Sequence, residues 1–176
     1  MIHYKRASRK DELKQILQLQ RDNLPAVISE EIQRTEGFVT VHHDFKILNQ
    51  MNEVCPHIIA INNEKIVGYA LCMHPKFSDE IEVLKPMFTE IKKVLNTNEK
   101  YIVMGQICVD KIFRRQGIFR KLYSYMLQEI QPKFESIITE VDAENTRSLE
   151  AHYAVGFKLL SCYHSGKQDW KLIRLC

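Results

Sequence analysis

The run of residues 101–109, YIVMGQICV, carries no charge over nine positions. Its Ile102, Val103, Ile107 and Val109 predict a strand covered on both faces. The pattern then breaks into Asp110, Lys111, Arg114 and Arg115, passes Gln116 and Gly117, and resumes as Ile118, Leu122, Met126 and Ile130 at helical spacing. A central strand, a basic turn and a helix that Pro132 stops are therefore expected here.

On the N-terminal side, residues 2–7 suit a short strand. Ser8 with Asp11 and Glu12 supplies a cap and first-turn acids for a helix carrying Leu13, Ile16, Leu17 and Leu19 toward Pro25. Residues 27–55 are mixed, with helical pieces near 30–35 and 44–54 separated by the extended-looking 37–41. Residues 57–61 and 65–73 read as two strands joined by the polar turn Asn62, Asn63 and Glu64. Residues 75–98 form an inserted segment with Ile81, Leu84, Met87, Phe88, Ile91 and Leu95 at helical spacing. It could shield a substrate site, form a subunit contact, or pack on the domain's own sheet.

Beyond the central helix, residues 136–141 read as a strand. Asn145 can cap a helix over 146–155 that Gly156 closes, and 157–163 with 170–175 read as a closing hairpin. The whole predicts a single α/β (α+β) domain over residues 1–176, built on a mixed, mainly antiparallel twisted sheet of about seven strands flanked by helices.

Composition narrows the class. A chain of 176 residues with 45% hydrophobic and 27% charged residues has an ordinary globular balance. The first ten residues lack an apolar leader and no run approaches a membrane span, so a cytoplasmic protein without membrane association is expected. The five cysteines are widely spaced and never in a C-x-x-C pair, which predicts reduced thiols and no zinc. His42 and His43 are adjacent and point to different faces, so no metal site is expected.

A net charge of +3 implies no nucleic acid by itself. Its placement matters more: Lys111, Arg114, Arg115, Arg120 and Lys121 crowd the basic turn and suit a ligand with several phosphates. A helix N-terminus with unpaired N–H groups behind a tight cationic turn is a ready anion site. A basic surface without a ligand, or an RNA or DNA partner, would use the same residues, although neither an aromatic-interleaved platform nor a helix-turn-helix pattern accompanies them.

The run from Ile107 to Ile118, ICVDKIFRRQGI, resembles the acyl-CoA binding segment of the GCN5-related N-acetyltransferase (GNAT) superfamily, whose loop reads Gln/Arg-x-x-Gly-x-Gly/Ala. Arg114 and Gly117 match, while Phe119 stands where the family has Gly or Ala. A second signature follows at the right separation: Asn145, Ser148, Gly156 and Phe157 fit Asn-x-x-Ala/Ser-(x)7-Gly-Phe.

The resemblance implies acetyl-CoA as co-substrate, no metal, and acetyl transfer to a primary amine of a small molecule or peptide by direct attack in a ternary complex. It implies that Arg114, Arg115, Gln116, Gly117, Ile118, Phe119 and Arg120 surround the pyrophosphate. Ile107, Cys108 and Val109, on a strand expected to bulge at Gly105, would offer backbone groups to the pantetheine arm, as would Asn145, with Ser148 beside it. Glu140 is the implied general base, and the alternative is a strand carboxylate paired with a surface lysine. Where family members often place a tyrosine as general acid, this chain has His152, followed by Tyr153. His152 as an ordinary helix residue, His152 as acid and Tyr153 as acid stay open.

By resemblance residues 27–55 would cover the acceptor, where Glu30, Glu31 and Glu36 could attract a cationic amine or form a solvated face. The partners expected are acetyl-CoA and an amine, in a monomer or homodimer. A non-catalytic CoA-binding module of the same fold would keep the loop and Asn145 and need neither Glu140 nor His152.

Overall fold

The computed structural model describes residues 1–24, 26–27, 39 and 41–176. The strands are β1 (Ile2–Arg6), β2 (Ile58–Asn62), β3 (Lys65–Met73), β4 (Tyr101–Val109), β5 (Ser136–Asp142), β6 (Lys158–Ser165) and β7 (Gln168–Leu175). The described helices are α1 (Lys10–Arg21), α2 (Phe45–Val54), α3 (Lys85–Val94), α4 (Ile118–Ile130) and α5 (Thr146–Val155). The strands form one seven-stranded open sheet in the order β1-β2-β3-β4-β5-β7-β6. β1–β2, β2–β3, β5–β7 and β6–β7 are antiparallel, and β4–β5 is parallel. This is the mixed, mainly antiparallel sheet that the sequence pattern predicts.

Local chemistry explains the boundaries. Asn63 and Glu64 join β2 to β3 with φ of 46° and 65°, so the loop is a two-residue turn of the I′ kind, matched to the right-handed twist of the strands. α1 has Arg9 at its N-cap in place of the expected Ser8. The buried Glu12 carboxylate instead reaches back to accept from the N–H groups of Ser8 (2.8 Å) and Arg9 (3.1 Å). In the inserted segment, Ile81 to Leu84 do not join the helix. They lead through a 3-10 turn at Glu82–Leu84 to Pro86, which lacks an N–H and suits only a helix's first turn, so α3 starts at Lys85. The helical piece expected at 30–35, with Glu30, Glu31 and Glu36, lies outside the described residues, as does most of the extended-looking 37–41.

The chain divides into two compact units, residues 1–72 with 105–126, and residues 73–104 with 127–176. The core of the first gathers Leu13, Ile16 and Leu17 of α1, Leu48 of α2, Ile59, Ile66, Tyr69 and Leu71 of β2 and β3, and Cys108 of β4. In the second, Met87, Phe88 and Ile91 of α3, Ile102 and Val103, Ile137 and Ile138, Leu149, and Leu172 and Ile173 are buried. α3 is joined to β6 by a 2.6 Å bond from the Ser161 hydroxyl to Glu90.

The parallel ladder of β4 and β5 pairs Tyr101 with Ser136, Ile102 with Ile137 and Val103 with Ile138. Three pairs come from strands of nine and seven residues. At the next step the Thr139 hydroxyl donates to the Met104 carbonyl at 2.9 Å. From Thr139 to Asp142, β5 pairs with β7.

Candidate active site

In the first unit, β4 runs into a turn fixed by its own polar groups. The Asp110 N–H donates to Val67 C=O (2.8 Å), and the Asp110 carboxylate accepts from Ile112 N–H (3.1 Å) and faces Lys65 (3.2 Å). A 3-10 turn, Lys111–Phe113, follows. The Gln116 side chain folds back on the Ile112 carbonyl (3.3 Å). Arg115 and Gly117 then take φ of 62° and 76°. A Cβ on Gly117 would meet nothing within 4 Å, so the glycine serves backbone conformation and not space. The first turn of α4 closes with Lys121 N–H on Gly117 C=O (3.1 Å), which leaves the N–H groups of Ile118, Phe119 and Arg120 before the first intrahelical bond. Left-handed residues ahead of such a terminus aim successive amides at one spot, a concavity for an anion.

The basic side chains divide into two kinds. Arg115, Arg120, Lys111 and Lys121 are exposed. Arg114 is half-buried and turned inward: its Nε donates to the Val109 carbonyl (3.0 Å) and its guanidinium to Asn23 Oδ1 (2.7 Å). It ties the end of β4 to the segment following α1. Phe119 lays its ring edge-on against Tyr123, centroids 5.2 Å apart, along the flank of α4. The close approach of this helix to the sheet is made by Gly68 of β3. A Cβ there would stand 3.2 Å from the Cys108 carbonyl, 3.3 Å from Ile118 and 3.4 Å from Leu122. The glycine that allows α4 to lie close thus comes from the strand, where the sequence reading singled out no residue. A lone glycine inside an apolar strand run was the available signal.

On β4, Gln106 accepts from the Tyr69 hydroxyl (2.6 Å) and donates to the Val41 carbonyl (2.8 Å). Ile107 and Val109 are half-buried. Cys108 is buried, and burial pushes its thiol up to about 12, so it stays protonated at neutral pH and is no nucleophile.

The second unit holds the other predicted residues. Asn145 is exposed and caps α5, its Oδ1 accepting from Ser148 N–H at 3.0 Å. Its amide nitrogen has no partner among the described residues. Ser148 is half-buried. His152 is buried, its Nδ1–H donating to the Ser148 carbonyl (2.7 Å) and its ring edge-on to Phe157 (5.2 Å). Burial holds its pKa below the usual value despite that bond, so the ring is neutral at pH 7. Tyr153 is exposed.

Glu140 is half-buried near the end of β5. Burial pushes its carboxyl up to about 7, opposed by the hydroxyl of Tyr163, which donates to it. No lysine or arginine pairs with it among the described residues. The structure therefore does not provide the surface lysine of the alternative reading, and it adds Tyr163, which the sequence reading did not single out.

Two GNAT-like signatures, a helix-opening anion turn, and a β5 carboxyl poised near neutrality are thus on one chain. A family model for the acetyltransferase (GNAT) family matches residues 13–157. The chain belongs to the GNAT acetyltransferase family. Solved GNAT-fold structures agree. NAA60 of Arabidopsis thaliana, in complex with a bisubstrate analogue, superposes with a TM-score of 0.70 at 13% identity, covering 99% of this chain and 97% of that one. The ribosomal-protein-S18-alanine N-acetyltransferase of Escherichia coli gives 0.65 at 14%, covering 99% and 93%. yncA of Salmonella typhimurium, solved with its cofactor acetyl-CoA, gives 0.65 at 13%, also covering 99% and 93%. No curated protein matches the sequence. Acetyl transfer is the chemistry that GNAT membership supports. No helix among the described residues is long and apolar enough to cross a membrane, and no group of three or more His, Cys, Asp or Glu among them is placed to hold a metal ion.

Proposed function

We propose that this GNAT protein transfers the acetyl group of acetyl-CoA to a primary amine by direct attack in a ternary complex, with Glu140 as general base. The observation that carries the proposal is the Glu140 carboxyl, raised to about 7 by burial and without a cationic partner among the described residues. An alkyl ammonium of pKa about 10.4 is less than roughly 0.1% neutral at pH 7, so an acceptor of that kind must lose a proton before attack. A base is most effective when its own pKa lies near the working pH.

The remaining roles follow the resemblance. The amides of Ile118, Phe119 and Arg120, with Arg115, Gln116 and Gly117 shaping the turn, receive the pyrophosphate. Arg114 acts through the backbone it braces, because its guanidinium is engaged by Val109 and Asn23. Backbone groups of Ile107, Cys108 and Val109 pair with the pantetheine arm, and the Cys108 or Val109 N–H meets the charge that develops on the thioester oxygen. The amide nitrogen of Asn145 donates to the pantetheine arm while its Oδ1 caps α5 beside Ser148.

For the proton that the departing thiolate takes up, we assign Tyr153, whose side chain is exposed. His152 spends its one N–H on the Ser148 carbonyl, a role that orders α5. The similar Escherichia coli enzyme is named for an alanine of a ribosomal protein, so peptides form the first panel to screen beside small amines.

The test is thiol release from acetyl-CoA with that panel, for the parent and Glu140→Gln. A fall of about 10²-fold or more in kcat/KM with acetyl-CoA affinity retained is expected. An unchanged rate and pH profile in Glu140→Gln would remove the base assignment.

A further inference from the structure

We infer that Tyr163 is the positioning residue of Glu140, fixing one carboxylate oxygen and favouring the ionised form; in naming Glu140 as base this rests on the function proposed above. The register of the last three strands sets the geometry. Glu140 pairs with Leu172, and Leu172 with Ser161; one step along, Asp142 pairs with Trp170, and Trp170 with Tyr163. Side chains two apart on a strand share a face, so Glu140, Ser161 and Tyr163 project on the same side of the sheet. The Tyr163 phenol reaches diagonally across β7 to donate its O–H to Glu140 Oε2. Oε1 is left as the oxygen able to meet an incoming amine.

Among the described residues the neighbouring groups leave this role to Tyr163. Asp142, two residues along β5, accepts from Glu144 N–H (2.9 Å) and Gln168 (2.6 Å). Arg174, on the same face of β7, is bound to Glu99 at 2.8 Å. Glu90 of α3 has its own hydroxyl donor, Ser161 (2.6 Å), and its own cation, Lys93 (3.0 Å), which hold it below the usual carboxylate range. Among the described residues Glu140 has only the neutral phenol. Burial, the bond to Glu140 and the charges of Glu140 and Glu90 all raise the Tyr163 pKa, so the phenol keeps its proton and acts solely as a donor.

A donor to the ionised form favours that form. Without it, burial acts on Glu140 unopposed. Tyr163 also borders an open hollow of about 340 Å³ at the hairpin, with Trp170 and Asp169 among its walls. Tyr163→Phe keeps the ring that lines the hollow and removes only the hydroxyl.

The experiment is carboxyl-carbon NMR titration of Glu140 in the full chain, its signal assigned by loss in Glu140→Gln. In Tyr163→Phe the midpoint is expected to rise by about one pH unit. Ser161→Ala, which removes the hydroxyl donor of Glu90 from the same face of β6, should leave it in place. An unchanged midpoint in Tyr163→Phe, or an equal rise in Ser161→Ala, overturns the inference. With an amine that the parent acetylates, the acid limb of kcat/KM should move by the same interval while acetyl-CoA affinity holds. A shifted midpoint in a protein that acetylates no amine would support the role of Tyr163 and sink the proposed function.

Discussion

The first unit holds two buried imidazoles kept well below their usual pKa, whereas the second holds a carboxyl raised well above its own. In the first, His57 is fully buried and held at about 3, chiefly by burial. It donates from Nε2 to the Leu48 carbonyl (3.1 Å) and accepts at Nδ1 from Cys72 N–H (3.1 Å), which bridges α2 to β3. His43, lowered to about 4 by burial and by His42, is gripped by Gln20 at both its ring and its N–H. In the second unit Glu140 stands at about 7.

The signs are opposite. A histidine lowered in the folded state binds its proton better when unfolded, so its contribution is fully present above about 6.5 and is lost as pH falls toward 4 and 3. A carboxyl raised in the folded state contributes below about 4.5 and loses that contribution as pH rises through about 7. Unused imidazoles serve architecture and favour neutral pH. The carboxyl assigned to chemistry works against it, as expected where function is set against stability.

The comparison can be broken at several points. His57→Leu strips partners from Leu48 C=O and Cys72 N–H and should cost about 3 kcal/mol in urea unfolding at pH 7, the largest effect expected. Hydrogen exchange should locate the loosening in residues 1–72 and 105–126. Glu140→Gln should do the reverse, stabilising the protein at pH 8 by at most about 3 kcal/mol, with the gain fading near pH 4. Equal melting temperatures for parent and variant at both pH values would show that burial does not strain Glu140. Two substitutions serve as controls without a pH slope. Gly68→Ala should cost about 1–2 kcal/mol by crowding Cys108, Ile118 and Leu122. Asn145→Ala should cost about 1 kcal/mol through the lost cap of α5. If either changed the slope of stability with pH, the division by buried titrating groups would fail.

Much of this was written locally in the chain. The hairpin turn at Asn63 and Glu64, the individual strands, the turn before Ile118 and the Asn145 cap each depend on residues within a few positions of one another, where spacing and backbone preference speak directly. What was missed depends on partners far apart in sequence. Asn23 is 91 residues from Arg114, and Glu140 is 23 from Tyr163. Periodicity places such residues on faces without saying which side chain will meet them. Glu12 shows the same on a small scale: it was legible as a first-turn acid, but not as the carboxylate that replaces a Ser8 cap.

Gly68 has a consequence for anyone re-engineering the turn. Its contribution is the lack of a side chain, so it cannot be grafted, strengthened or compensated from the helix. The gap between β3 and α4 is already filled to van der Waals range by Ile118, Leu122 and the Cys108 carbonyl. Changes of charge at the exposed Arg115, Arg120 or Lys121 would leave that gap as it is. The depth at which the helix terminus sits is set by a strand residue that no bound molecule need touch.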